Sequence, residues 1–311
     1  MNNIFIKKKI FFFLKFTLIL SILFFHFSKV DDTPPRLGAH GDNFLYSYNL
    51  AKYGVYSQSR LDNKFVKPDN YFLPLIPLIN FFIIKNYKNL KDNNLNCYYN
   101  LETLCDRSII KYMKFYNIIS LIFLIYFSYN YSKYFFTKNI SFIIVIILLS
   151  GSWYYNILNS FKHELLASAL FMGWVLFRQK FNIKEKVYYQ ILIGIMLGLL
   201  ILTRSIFLVI IIVELFFFLK GLKKKQFLKS FIPISIILIL ITPWKLHQQM
   251  GVDKNQGLSM DLRDGKLGVV MSTRAEKNQM DLKDYFGGLL YFSPSGGMTI
   301  LNTFFDYSYY K

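Results

Sequence analysis

A few short stretches of this chain hold residue types whose chemistry could matter. Asp42 follows Gly41 and opens the segment NFLYSYNLAKYG. A carboxylate fixed there could accept a proton from a hydroxyl; the plainer reading is a helix N-cap, a common role for Asp. Lys67-Pro68 stands just before an apolar island. A cation held by a rigid proline could bind a phosphate, or it could simply snorkel to an interface. His163 and Glu164 start another apolar block. They read either as a solvated turn with a helix-start acid that the macrodipole favours, or as polar groups that contact a substrate. Arg204 separates two apolar blocks in Thr203-Arg204-Ser205. Arginine at membrane depth is costly and needs a partner, for which a phosphate or pyrophosphate is suited. Glu214 lies inside an apolar block, neutral or paired, and carries no assigned role.

The elements that must position these residues follow from composition. Of 311 residues, 54% are hydrophobic and 19% aromatic, with 33 Phe and 23 Tyr. The apolar residues come in long blocks rather than alternating or 3.6-residue patterns, which points to an integral membrane protein. The net charge of +19 would suggest nucleic acid in a soluble protein. Here the lysines gather between apolar blocks, as in cytoplasmic loops that face anionic headgroups, so no nucleic-acid partner is expected. Phosphate-cradling glycine loops, nucleophile-elbow serines and zinc-ligand spacings are absent from the sequence.

In chain order, Lys7, Lys8 and Lys9 precede an apolar run from about Ile10 to Phe27. No small-x-small cleavage site follows, so the run reads as an uncleaved first span with a cytoplasmic N-terminus. A long outer loop, 29–107, comes next. Its helical pattern after Asp42 places Phe44, Leu45, Tyr48 and Ala51 on one face, with Gly54 as the stop; such a helix would lie along the membrane surface. The island Tyr71–Ile84, with Pro74 and Pro77, is short of the ~20 residues a span needs and reads as an interfacial helix. Cys97 and Cys105 fall in the same loop, either as a disulfide or as two free thiols.

Further apolar blocks occur near Ile109–Tyr131, Ile140–Leu158, Leu165–Phe177, Tyr188–Thr203, Ile206–Leu219 and Phe227–Trp244. A single helix from Tyr188 to Leu219 would be roughly 48 Å long against a core of about 30 Å, so it is split at Thr203-Arg204-Ser205. The expectation is an all-α polytopic membrane protein with about seven transmembrane helices and juxtamembrane helices in the first outer loop. Inner loops then hold Lys133 and Lys138; Arg178, Lys180, Lys184 and Lys186; and Lys220, Lys223, Lys224, Lys225 and Lys229. The short outer turns hold only Lys162 and Arg204, which is the positive-inside distribution. Residues 245–311 form an outer segment with a weak helical signal from Met271 to Met280 and the apolar patch YFGGLLYF.

These residues together resemble the GT-C superfamily of membrane glycosyltransferases, closest to its protein-mannosyltransferase-like and aminoarabinose-transferase-like families. The pattern D-x-x-x-Y-x-x-x-L-x-x-x-G after the first span stands as Asp42, Tyr46, Leu50 and Gly54. A basic-Pro-aromatic-Pro segment is matched by KPDNYFLPL, an L-T-[RK] turn by Leu202-Thr203-Arg204, and a P-W span end by Pro243-Trp244. The segment STRAEKNQMDLKDYFGGLLYFSPSGG looks like the family's return toward the membrane. The match covers residues 1–244 as the transmembrane module and 245–311 as an outer segment. The family continues with further spans, so this chain reads as a C-terminally truncated or minimal variant.

The resemblance implies an inverting transfer from a polyprenyl-phosphate-linked sugar to a lipid, glycan or protein acceptor on the periplasmic face of a bacterial inner membrane. Asp42 would be the base, Lys67 and Arg204 would hold the donor phosphate, and Tyr46, His163 and Glu164 would contact substrate. Many members have Asp-Glu at the first motif; here Asn43 follows Asp42. That weakens the case for a metal held by a second carboxylate there; no cofactor is assigned, and a divalent cation stays open. The rival readings are a transporter or flippase of a lipid-linked substrate, and an inactive truncated membrane protein.

Overall fold

The computed structural model describes residues 2–32, 42–57, 73–87, 90, 98, 106–151, 157–223 and 227–250. All regular structure among them is helical. The helices are α1 (Asn2–Ser28), α2 (Asp42–Tyr53), α3 (Leu75–Ile84), α4 (Ser108–Met113), α5 (Phe115–Ser132), α6 (Lys138–Leu149), α7 (Glu164–Lys184), α8 (Val187–Ile201), α9 (Val209–Lys223) and α10 (Phe227–Met250), with a 3-10 turn at Ser205–Leu208 before α9.

The long helices pack side by side in the order α6, α5, α7, α8, α10, α9. α1 lies along α6 and runs parallel to it. Lys15 Nζ donates to Asn139 Oδ1 at 2.8 Å, and further along both helices the His26 ring is 3.0 Å from the Leu149 carbonyl. α5 runs parallel to α7, joined by Phe127 against Phe177. α8 runs parallel to α10, since Gly194 faces Pro233 and Ile236 while Gly198 faces Leu240. Seven helices, α1 and α5 to α10, therefore alternate in direction along the chain.

This alternation sorts the polar residues. The starts of α5, α7 and α9 share one end of the bundle with the finishes of α1, α6, α8 and α10. The opposite end carries Lys133, Lys138, Lys184, Lys186, Lys223 and Lys229 in or beside its turns.

Local signals explain the breaks. Gly54, at φ +69°, ends α2 in the left-handed region that glycine enters freely. α8 ends at Ile201 and Thr203 Oγ1 turns back to the Leu200 carbonyl, so the split at Thr203-Arg204-Ser205 is real. α3 spans 10 residues, about 15 Å at 1.5 Å per residue, and buries Ile76, Pro77, Asn80 and Ile84 while exposing Phe82.

Several expectations need correction. In the block Ile140–Leu158, α6 ends at Leu149 with Ser150 as its C-cap, and residues 152–156 lie outside the described residues. α7 does not stop at Phe177 but continues to Lys184, so Arg178 is not a loop residue. It is buried and paired with Glu214 of α9, which also accepts from Trp174 Nε1. A long-range carboxylate keeps that arginine inside the helix layer. α10 does not end at Pro243-Trp244; it runs on to Met250. α2 is not a surface helix: residues 43–49 are all buried, because α3 covers one side and Phe161 and Tyr98 another. The pair Cys97–Cys105, Lys67 and the segment 251–311 lie outside the described residues.

Among the described residues, two helices are long and apolar enough to cross a membrane, Ser108–Ser132 with 25 residues and Lys229–His247 with 19. Shorter apolar helices include Phe13–Ser28, Leu75–Ile84, Lys138–Leu149 and Val187–Ile201.

At Gly194 the backbone of α10 itself comes close to α8. A Cβ there would stand 2.8 Å from Ile236 Cβ and 3.0 Å from the Pro233 Cα and carbonyl oxygen. Backbone cannot rotate away, so Gly194→Ala should force α8 and α10 apart and cost about 1–3 kcal/mol by overpacking. A lower melting temperature of the purified variant checks this; an unchanged one contradicts the packing.

Candidate functional site

The end of the bundle that carries Asp42 is built around the connection into α7, residues 157–163. A connection of this kind leaves carbonyls that no helix satisfies, and each needs a donor. They are met by side chains from other elements. Asn117 Nδ2, in the first turn of α5, donates to the Ser160 carbonyl at 2.8 Å and the Ile157 carbonyl at 3.2 Å. The neighbouring Tyr116 hydroxyl donates to the Lys162 carbonyl at 2.7 Å. Asn43 Nδ2, from the start of α2, donates to the Phe161 carbonyl at 2.8 Å.

The same connection fastens the exit of α1. Asn159 Nδ2 donates to the Lys29 carbonyl at 2.8 Å, and Asn159 Oδ1 accepts from the Asp31 amide at 3.0 Å. Lys114, fully buried between α4 and α5, donates through Nζ to both the Asp31 carbonyl and its carboxylate at 3.0 Å. A buried ammonium is tolerated only with such partners. On the far side, Tyr87 donates to Asp106 Oδ2 at 2.6 Å and meets Ser108 Oγ, tying the end of α3 to the start of α4. Burial and that carboxylate raise the Tyr87 phenol above its ordinary pKa.

Asp42 is the first residue of α2, and α2 is held on several sides. Phe44 packs on Phe161 and Tyr98 at centroid distances of 5.6 and 5.8 Å. Tyr46 stacks on Tyr56 at 4.3 Å; Tyr56 meets Trp244 edge-on at 5.1 Å, and Trp244 stacks on His247. Tyr46, Tyr56, Leu202 and Trp244 form one buried cluster. Tyr46, for which the resemblance implies a substrate contact, is fully buried and packs in the cluster that joins α2 to the ends of α8 and α10.

The remaining residues stand as follows. His163 precedes α7 and Glu164 opens it, the helix-start position that the macrodipole favours for an acid. Glu164 Oε2 is buried without a hydrogen-bond partner. Arg204 is exposed in an extended backbone position, two residues beyond Leu202 of the aromatic cluster. The structure thus brings Asp42, Tyr46, His163, Glu164 and Arg204 to one end of the bundle.

Sequence reasoning missed the residues that hold this end together: Asn117, Asn159, Lys114 and the side chain of Asn43. A signal was present in the first. Asn117 interrupts the apolar block Ile109–Tyr131 about two turns from its start, where an amide needs carbonyls to bind. Asn43 is buried and its Nδ2 donates to the Phe161 carbonyl, so that nitrogen serves the fold.

The chain matches no family model, no curated protein and no solved structure.

Asn43 yields a graded prediction. Asn43→Ala removes the donor and leaves the Phe161 carbonyl unsatisfied, costing about 1–3 kcal/mol. Asn43→Asp places a carboxylate against that carbonyl and should destabilise more than alanine does. Thermal unfolding of the three proteins in detergent tests the order; equal stability of Asn43→Asp and the parent would contradict it.

Proposed function

We propose that this protein is an integral membrane glycosyltransferase of the GT-C kind. It transfers a sugar from a polyprenyl-phosphate donor to a lipid, glycan or protein acceptor on the outer face. The observation that carries the reading is the sorting of polar residues. Asp42, His163, Glu164 and Arg204 stand at one end of seven alternating helices, and the lysine-rich turns stand at the other. In a bilayer the lysine-rich end belongs inside, which leaves the carboxylate and arginine end outside.

The outer surface of the bundle supports a membrane setting. Phe24 on α1, Ile212 on α9 and Ile239 on α10 are 72%, 67% and 68% exposed. In the helix Lys229–His247 only 17% of the apolar window is buried, whereas a core helix of a soluble protein would be mostly covered. Apolar faces of this extent on several helices call for lipid. The helices of 12 to 15 residues are short for a span, a mismatch that bilayer thinning or flanking lysines can absorb at modest cost.

In the proposed reaction Asp42 accepts the proton of the acceptor hydroxyl as that oxygen attacks the anomeric carbon. The bond from the anomeric carbon to the phosphate oxygen breaks, configuration inverts, and polyprenyl phosphate leaves. Arg204, with Lys67 from the first outer loop, holds the departing phosphate and stabilises its charge. Glu164 Oε2, buried and without a donor, is suited to an acceptor hydroxyl, with His163 beside it. Tyr46 holds α2 in place. A lipid phosphodiester donor is already activated, so no nucleotide site is needed, and no step is routed through a metal.

Membranes carrying the protein, incubated with labelled polyprenyl-phosphate sugars, should move label into glycolipid or protein. Asp42→Asn should lower that transfer by roughly 10²–10⁴-fold, the usual contribution of a positioned base, at unchanged membrane abundance. Full activity in Asp42→Asn would sink the base assignment. A topology reporter fused after Lys225 should read cytoplasmic, and a periplasmic reading would overturn the orientation.

A further inference from the structure

Two parallel helices, α5 and α7, carry lysines side by side at the end of the bundle opposite Asp42. They meet where Phe127 stands edge-on to Phe177, with ring centroids 5.7 Å apart. Phe127 also lies against Gly173, so the face of α7 turned to α5 runs Gly173, Phe177, Lys180, Lys184, the i, i+4, i+7, i+11 spacing of one helix stripe. On α5, Lys133 is the C-cap. Counted from the Phe127–Phe177 contact, Lys133 stands about 9 Å along its helix, and Lys180 and Lys184 stand about 4.5 and 10.5 Å along theirs. Lys133 is therefore level with the gap between the two α7 lysines.

Rings hold these ammonium groups, and no counter-charge does. Lys180 Nζ lies 5.6 Å from the Phe177 ring centre and 6.0 Å from that of Tyr189 in α8, and Lys133 Nζ lies 4.8 Å from that of Tyr129. A ring attracts a cation but leaves its charge uncancelled. Among the described residues, the charged groups close enough to act on Lys180 are Lys184 and Lys133, both cations, and no carboxylate pairs with any of the three. Glu185, next along the chain, belongs to another side of α7. With Arg178, Phe181 and Asn182 it lines a recess shared with Glu214 and Lys220 of α9. Lys133 and Lys184 are exposed and Lys180 is half-buried, so all three offer surface to a ligand.

The surroundings indicate which anion fits. Phe123, stacked on Phe127 one turn nearer the middle of the bundle, and its neighbour Tyr126 are exposed. In the membrane setting proposed above, the lysines stand at the inner headgroup level with apolar surface beneath them. A single phosphodiester would balance one charge of three. Lys180 and Lys184 are about 6 Å apart along the helix axis, a span that two bridged phosphates can cover.

We propose that the seam between α5 and α7 binds an anionic phospholipid whose headgroup carries two bridged phosphates, as cardiolipin does. One phosphate would lie between Lys180 and Lys133 and the other beside Lys184, with an acyl chain along Phe123. Basic sites between spanning helices on the cytoplasmic side suit such headgroups. The proposal rests on the membrane setting and its orientation, and is independent of sugar transfer.

Membranes carrying the full chain are washed in alkaline carbonate, and the retained protein is purified in mixed micelles. It is titrated with cardiolipin, with phosphatidylglycerol at equal total phosphate, and with inorganic pyrophosphate, and bound ligand is counted by native mass spectrometry. Cardiolipin should bind about fivefold tighter than phosphatidylglycerol, the gain expected from one further lysine engaged near a surface. Lys133→Gln and Lys184→Gln, both at exposed positions, should each weaken cardiolipin about fivefold. Lys220→Gln, which removes an equal charge from the recess on the other side of α7, should leave it unchanged. Release of the protein by carbonate would overturn the membrane setting and the proposal together. Retention without a cardiolipin preference, or an equal loss in Lys220→Gln, would overturn the proposal alone. Pyrophosphate binding that is weakened by Lys133→Gln and Lys184→Gln, without a preference between the lipids, would overturn the lipid assignment in favour of a soluble diphosphate.

Discussion

The arrangement of this protein depends on how the connection 157–163 satisfies its carbonyls. That short stretch turns from Ile157 into α7 and sits where four elements meet. Asn117 and Tyr116 from α5, Asn43 from α2 and Asn159 from within the stretch itself supply or share the hydrogen bonds. A carbonyl buried without a donor costs on the order of 1–3 kcal/mol, so these amides fix geometry as well as stability. Through them α1, α2, α5 and α7 are locked to one another at a single end of the bundle.

That lock explains why a helix as short as α2 holds its place at the end of the bundle. Twelve residues form only a marginal helix alone. Here Phe44, Tyr46 and Tyr48 are buried on different sides, and the stack of Tyr46, Tyr56 and Trp244 ties α2 to the ends of α8 and α10. Asp42 at the head of α2 is thereby positioned by two neighbouring constraints, the Asn43 amide and the aromatic stack. In the proposed reaction this is the preorganisation that a base needs, since misplacement by about 1 Å is expected to cost on the order of 10²-fold in rate.

Much of the architecture was legible in the residues. The break at Thr203-Arg204-Ser205, the short helix inside Tyr71–Ile84 and the stop at Gly54 each follow from a local signal, and each is present. The gathering of Asp42, His163, Glu164 and Arg204 at one end followed from counting helices and lysines. Long-range pairing was not legible. Arg178 looked like one more cytoplasmic cation because its partner, Glu214, is 36 residues away. α2 looked like a surface helix because its pattern shows which face is apolar and cannot show that α3 and Phe161 will cover the others. Asn117 and Asn159 passed unnoticed because amides report no charge and no period.

The central claim is that the two ends of the bundle lie on opposite sides of a membrane, with the Asp42 end outside. Single cysteines introduced as Lys162→Cys and Lys184→Cys, with Cys97 and Cys105 replaced by serine, test it in intact cells exposed to a membrane-impermeant maleimide. The account predicts labelling at 162 in intact cells and at 184 only after the membrane is opened. Labelling of both positions in intact cells, or of 184 alone, would contradict it.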